Sequence, residues 1–314
     1  VTGGAGFIGS NLTLELQSRH PDAEIVVLDD FSSGDWSTLK GFNGDVVTAD
    51  MTKTDWMVSL SNQEFDQIYH LAANTDAREE DQAKMMRQNV DAFRLLLEFA
   101  AETETPIVYA TSAATYVIRD GVMKESDQVD PFSVYAFSKC VMENVARIAQ
   151  EKSGGDWKIV GVRYFNVFGP RETHKGVPAS MIFHLSHQML EGKRPRIFEF
   201  GEQSRDHVYV KDVVHGTICA MESEATRGVY NLGSGVASSF NDLVKSLNRV
   251  LGLDLEPEYF PNPFKLYQNH TEADISLSKE VIGYVPRFNL ETGIEDYMRW
   301  LHPGKSAPPG VGGA

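Results

Sequence analysis

Short apolar runs alternate with longer amphipathic stretches through the first two-thirds of the chain. Residues 25–28, 67–71, 107–110 and 159–162 form mostly apolar runs. Between them, apolar positions recur at helical spacing over 10–18, 89–103 and 134–152. Unbroken apolar runs are what strands covered on both faces produce, and strand, helix, strand at this pitch predicts a doubly wound parallel sheet of the α/β class. The pattern changes after about Gly169. A Pro/Gly-rich loop follows, then a helix over 180–191, a short strand over 197–200, and helices over 240–251 and 290–301. The expected division is a sheet domain over 1–168, to which later segments can return, a smaller α/β lobe over 169–302, and a loose Pro/Gly-rich tail over 303–314. Val1-Thr2 is too short for a strand in the middle of a sheet, so further apolar residues are expected before it.

Composition narrows the possibilities. The 314 residues are 42% hydrophobic and 23% charged, which is globular rather than disordered. A net charge of −15 argues against broad nucleic-acid binding and against a polybasic membrane anchor, while leaving room for a local basic pocket. Cys140 and Cys219 are too few for a disulfide framework and fit a reducing, cytoplasmic location. No apolar run reaches the roughly 18 residues needed to span a bilayer, and no signal-peptide pattern is visible. The nine His and two Cys show no metal-ligand spacing, so no metal site is expected.

The chain opens with glycines at 3, 6 and 9 in Thr2-Gly3-Gly4-Ala5-Gly6-Phe7-Ile8-Gly9. Gly3 suits a tight turn off a strand, Gly6 lets backbone amides approach a pyrophosphate, and Gly9 allows close helix–strand packing. The helix N-terminus behind them favours phosphate. Alone, the pattern also fits a glycine-rich turn with no ligand. Asp29 ends the next apolar run, where a carboxylate meets adenosine ribose hydroxyls in a Rossmann-type domain. Asp30 beside it repels a 2′-phosphate, and no Arg or Lys stands between Asp29 and Ser37, so NAD is expected over NADP. Lys53 keeps NADP open. Asp50 and Met51 are placed to edge the adenine, or simply end a strand.

Tyr135 and Lys139 stand at i and i+4, on one face of a predicted helix. An ammonium there favours the phenolate and so lowers the Tyr pKa, fitting it to take a carbinol proton. On spacing alone the two also read as a surface pair. Ser112 falls at the C-terminal edge of a predicted strand, where doubly wound sheets bind ligands and where a Ser also serves as a turn or cap.

The ordered set of the glycine turn, Asp29, Asp50, His70-Leu71-Ala72-Ala73, Thr111-Ser112, Tyr135…Lys139 and Arg163 to Arg171 resembles the extended short-chain dehydrogenase/reductases that modify nucleotide sugars. The resemblance covers nearly the whole chain. It implies a Rossmann-type domain with bound NAD(P), a C-terminal substrate lobe, a nucleotide-diphosphate sugar as substrate, and a homodimer or higher oligomer in which Phe93, Leu96, Val141 and Val145 either meet a partner or pack in the core. It implies catalytic roles for Ser112, Tyr135 and Lys139, with Lys139 also on the nicotinamide ribose. Phe7, Ile8, Met51, Leu71, Ala72, Ala73 and Asn89 join the cofactor-lining set.

Dehydratases of the family carry Asp-Glu where this chain has Ala113 and Ala114, so elimination of water is disfavoured and epimerisation remains. Residues 112–116 and the stretch from Pro170 to Leu185 resemble the heptose 6-epimerase branch, in which a Lys matching Lys175 is a second acid/base. Asn166, Lys175, Arg205 and Tyr267 are the implied substrate contacts, Arg205 as a guanidinium fork on phosphate. Asp212 is expected to order a strand-to-helix turn. Val117 and the stretch 259–268 depart from that branch and keep a UDP-hexose 4-epimerase open; Asp30 and Trp36 depart from its NADP preference. A dinucleotide-sensing protein without catalysis is the more distant alternative.

Overall fold

The computed structural model describes residues 1–76, 78–262 and 267–303. Helices α1 (Phe7–Arg19), α2 (Asp55–Leu60), α3 (Gln82–Met86), α4 (Ala92–Ala100) and α5 (Val134–Lys152) alternate with strands β1 (Val26–Asp29), β2 (Asp45–Thr48), β3 (Ile68–His70), β4 (Ile107–Ser112) and β5 (Ile159–Tyr164). The chain continues through β6 (Asn166–Phe168), α6 (Met181–Leu190), β7 (Arg196–Phe198), β8 (Ser204–Tyr209) and α7 (Val210–Glu222). It ends with β9 (Val229–Leu232), β10 (Ala237–Ser239), α8 (Phe240–Leu251), β11 (Glu258–Phe260), α9 (Ser276–Ile282) and α10 (Leu290–Leu301).

Residues 1–2 take the middle place in the main sheet. Thr2 bridges in parallel to Leu28 on one side and to His70 on the other. Outward from them run β1 and β2 in one direction, and β3, β4, β5 and β9 in the other, all parallel. The winding therefore reverses between β1 and β3. A crevice opens there at the strands' carboxyl ends, the usual ligand position in such sheets. The two faces are covered as the apolar runs require. Leu12 and Leu16 of α1 join α7 on one face, while Phe93, Leu96, Met142 and Ala146 of α4 and α5 pack on the other. Phe93 and Leu96 thus belong to the core, at 0% and 2% exposure, which leaves Val141 and Val145 half-buried on α5.

The smaller sheets, β6-β8-β10 and β7-β11, stand beyond the carboxyl edge. Fully buried Asp206 of β8 ties them to the main sheet: its carboxylate accepts Ser234 N, Gly235 N and Ala273 N. Asp212 departs from expectation. Rather than ordering the turn into α7, it accepts the amides of Arg287 and Phe288 at 2.9 and 3.0 Å, pinning a distant loop to that helix. No helix among the described residues is long and apolar enough to cross a membrane.

Candidate active site

The glycine turn builds the floor of the crevice. Gly3 adopts φ +67°, and a Cβ there would lie 2.5 Å from Ala72 N. A Cβ on Gly9 would lie 2.0 Å from Gly3 O. Gly9 therefore seats α1 on the turn's own backbone, not on the strand as the spacing suggested. Gly6 is the N-cap of α1 and has no side chain to cap the helix, so the first-turn amides are open to an anion. Buried Asp29 accepts Ala5 N and Phe31 N, both at 2.9 Å. Burial pushes its carboxyl pKa up, and these two amides work against that rise.

A cleft of about 650 Å³ runs from this turn to β4 and α5. Gly3, Gly6, Phe7, Ile8 and Gly9 line one wall. Asp29, Asp30, Asp50 and Met51 line the far end, and Leu71, Ala72 and Ala73 the side beneath β3. A bare glycine turn, an acidic far end and apolar walls fit a dinucleotide whose pyrophosphate meets α1 and whose ribose meets Asp29. Asn89 is the exception among the expected residues. It is fully buried in a π-helical turn, Arg87–Asp91, and does not line the cleft. Its side chain accepts Asn74 N at 2.7 Å and donates to Ser138 Oγ at 2.9 Å, so it holds the Asn74 wall from behind.

Ser112, Tyr135 and Lys139 line the cleft at β4 and α5, and Lys175 lines it from the loop after β6. The Tyr135 hydroxyl neighbours Ser112, whose own oxygen accepts Ala114 N at 3.2 Å. Lys139 is buried and gives its ammonium to Ala110 O at 3.0 Å, with Nζ 6.0 Å from the Tyr135 ring centre. Burial lowers the Lys139 pKa to about 8, against the pull of Glu143. The expected fall in the Tyr135 pKa is not seen. Burial pushes that phenol up, and only the neighbouring Ser112 hydroxyl opposes it. The ammonium is engaged by a carbonyl, so in the ligand-free cleft Tyr135 rests as the neutral phenol.

A second cavity of about 350 Å³ shares Phe165, Val167, Lys175 and Pro178 with the cleft. Asn166, Arg205 and Tyr267 line it. Arg205 is 9% exposed, bonds Ser204 O and stacks on Tyr267 at 4.9 Å. Lys175 Nζ lies over Phe7 at 5.2 Å. Burial lowers the pKa of both cations. Neither makes an ion pair among the described residues, in a chain of net charge −15. The two cations give the cavity a positive lining. The 3₁₀ turn carrying Lys175 is held by fully buried Glu172, which accepts Gly169 N, Ser180 N and Ser180 Oγ. His207 also lines the cavity and was not foreseen; it follows Arg205 by two residues on β8, a spacing that in retrospect points both to one face. Among the described residues no group of three or more His, Cys, Asp or Glu stands ready for a metal ion.

The model of the NAD dependent epimerase/dehydratase family matches residues 1–233, and the chain belongs to that family. The ADP-L-glycero-D-manno-heptose-6-epimerase of Alkalilimnicola ehrlichii is 35% identical over 314 residues, covering 95% of both chains. The crystal structure of the Helicobacter pylori enzyme of the same name is 37% identical, with a TM-score of 0.88 over 96% of this chain and 95% of that one. The UDP-glucose 4-epimerase of Thermotoga maritima, solved with UDP-glucose, also gives 0.88 at 29% identity, over 96% of this chain and 97% of its own.

Proposed function

We propose that this NAD-dependent nucleotide-sugar epimerase inverts the side-chain carbinol of an ADP-linked heptose. The observation that supports the reading is one cleft lined by Ser112 from β4, by Tyr135 from α5 and by Lys175 from the loop after β6. Bound NAD supplies a hydride acceptor that returns the same hydride. Ser112 then holds the carbinol oxygen. Tyr135 takes the carbinol proton, with the Lys139 ammonium offsetting the burial that favours its neutral form. Lys175, its pKa lowered by burial, can also pass a proton. Two proton-carrying groups allow the ketone to be reduced on its opposite face after a small turn within the site. Arg205 and Asn166 receive the diphosphate. Ala113 and Ala114 put no carboxyl beside Ser112, which speaks against dehydration. A homodimer through the outer faces of α4 and α5, in the cytoplasm, accords with this reading.

The T. maritima likeness favours a second reading, 4-epimerisation of a UDP-hexose by Tyr135 alone. NMR assay of ADP-heptose and UDP-glucose, with Tyr135→Phe and Lys175→Met, separates the two. Tyr135→Phe should lower turnover about 10²–10⁴-fold with nucleotide sugar still bound. Near-normal turnover in that variant would refute the mechanism. A comparable loss in Lys175→Met supports the heptose reading; UDP-glucose turnover indifferent to Lys175 replaces it with the 4-epimerase.

A further inference from the structure

Behind the reacting end lies a junction that the mechanism above does not use. Thr111, the neighbour of Ser112, donates its hydroxyl to Glu143 Oε1 at 2.8 Å. Arg163 grips the same carboxylate through Nε at 3.0 Å and Nη2 at 2.6 Å. Thr111 and Arg163 stand opposite one another in the β4–β5 register. Glu143 lies one helical turn beyond Lys139 on α5, on the same face. One carboxylate therefore joins the strand that ends in Ser112, the helix that carries Tyr135 and Lys139, and the next strand of the sheet. Its side chain is 13% exposed and that of Arg163 5%. Arg163 also stacks on Tyr116 at 4.6 Å, and its Nη1 is buried with no partner. A buried ion pair is rarely better for stability than an apolar pair of the same volume, so stability alone does not account for it.

We propose that Glu143 is a positioning residue for the epimerisation: its bonds to Thr111 and Arg163 fix Ser112 against Tyr135 and set a carboxylate one helical turn from the Lys139 ammonium. The inference rests on the roles given above to Ser112, Tyr135 and Lys139. Among the described residues, the groups around Lys139 leave Glu143 as its one negative neighbour. From β3 comes His70, which burial keeps neutral near neutrality. From β4 comes the Ala110 carbonyl. On α5 stand Tyr135 and Cys140, whose acidic groups burial raises. From β5 comes Arg163, on the far side of Glu143.

The test reads Lys139 directly. Holoenzyme labelled with 13C-lysine is titrated by NMR, with the Lys139 signal assigned through Lys139→Met, and kcat/KM is followed against pH in parallel. Glu143→Gln leaves Lys139 facing an unbalanced Arg163. The Lys139 titration, and the alkaline limb of the rate profile with it, should move to lower pH by about one unit. The double variant Glu143→Met/Arg163→Met removes both charges and the acceptor of the Thr111 hydroxyl, nearly keeps the volume and should fold. Its Lys139 titration should return towards wild type, while kcat stays at least about 10-fold low because Thr111 has lost its anchor. Glu143→Asp should recover part of kcat. A merely structural Glu143 would lower stability without moving the titration. Unmoved titration in Glu143→Gln, or wild-type kcat in the double variant, overturns the inference. Wild-type enzyme that epimerises no nucleotide sugar instead overturns the functional reading, and the NMR arm still decides the charge of Lys139.

Discussion

Replacing Arg205 by Met should move stability and ligand affinity in opposite directions. The guanidinium sits 9% exposed, with a bond to Ser204 O, a stack on Tyr267 and no carboxylate partner among the described residues. Burying an unpaired ion costs several kcal/mol after relaxation. The stack returns roughly 0.5–2 kcal/mol and the carbonyl bond about 1 kcal/mol. The ligand-free variant should therefore gain about 1–2 kcal/mol, or a few degrees in Tm for a chain of this size. A diphosphate loses a two-bonded charged fork worth about 3–4 kcal/mol, so the ADP Kd should rise about 10²–10³-fold. Denaturant unfolding without nucleotide gives the first quantity, and calorimetry with ADP the second. The wild-type Tm should climb with ADP while that of the variant barely moves. A variant that is less stable when ligand-free and binds ADP within threefold of wild type would mean that Arg205 is a structural residue and that the cavity takes something other than a diphosphate.

Acid should weaken the fold through two histidines. Burial holds His70 and His207 at about 3, with Lys139 and Arg205 respectively adding to the effect, whereas an unfolded His titrates near 6.5. Between those values the unfolded chain binds protons that the native chain does not, so stability falls as pH falls, by about 2 kcal/mol per histidine at pH 5. His207→Phe should remove about half of the loss that the pair contributes; unfolding curves at pH 7 and 5 that fall as steeply in the variant as in wild type would show His207 to be solvated. Gly9→Ala must displace the Gly3 carbonyl, which a Cβ would meet at 2.0 Å. It should cost about 1–3 kcal/mol and lower the NAD content of the purified protein, measured after denaturation, and retention of both NAD and the wild-type Tm would contradict the turn geometry.

What could be read from the chain depended on whether a signal was local. The helix expected over 134–152 is the helix found, because Ser133 accepts Ala136 N and starts it cleanly. The bounds 240–251 and 290–301 also hold, fixed by capping boxes at Ser239–Asp242 and Asn289–Thr292. The helix expected from 89 begins instead at Gln82. Its first turns are polar, and the π-helical turn at Arg87–Asp91 breaks the 3.6-residue period that reveals helices. Helix α7 went unread: it is buried nearly all round, and its Val, Ile and Thr positions mimic a strand. At the site, residues carried by motifs were legible, and every expected cleft residue except Asn89 lines one of the two cavities. Through-space partners were not. Nothing in the spacing of Thr111, Glu143 and Arg163 shows that they share a carboxylate, nor that Ala110 engages the Lys139 ammonium.

On the proposed reading, the choice between carbon atoms of the sugar belongs to a loop, not to the fold. Equal TM-scores of 0.88 to a 6-epimerase and a 4-epimerase show that the backbone of the whole chain does not separate the two chemistries. Ser112, Tyr135 and Lys139 stand on the sheet and its helix, where their positions follow from the core. Lys175 stands on a 3₁₀ turn whose ends are gathered by one carboxylate: Glu172 takes the amides of Gly169 and Ser180, three residues before it and eight after. Such a clamp closes the segment on itself. Its tip can change in sequence without disturbing β6 or α6, which flank it. A second proton-carrying group can therefore be gained or lost there at little cost to the sheet, whereas moving Tyr135 would require rebuilding the packing of α5. For this reason Lys175, more than Ser112, Tyr135 and Lys139, is where the two proposed epimerase readings part.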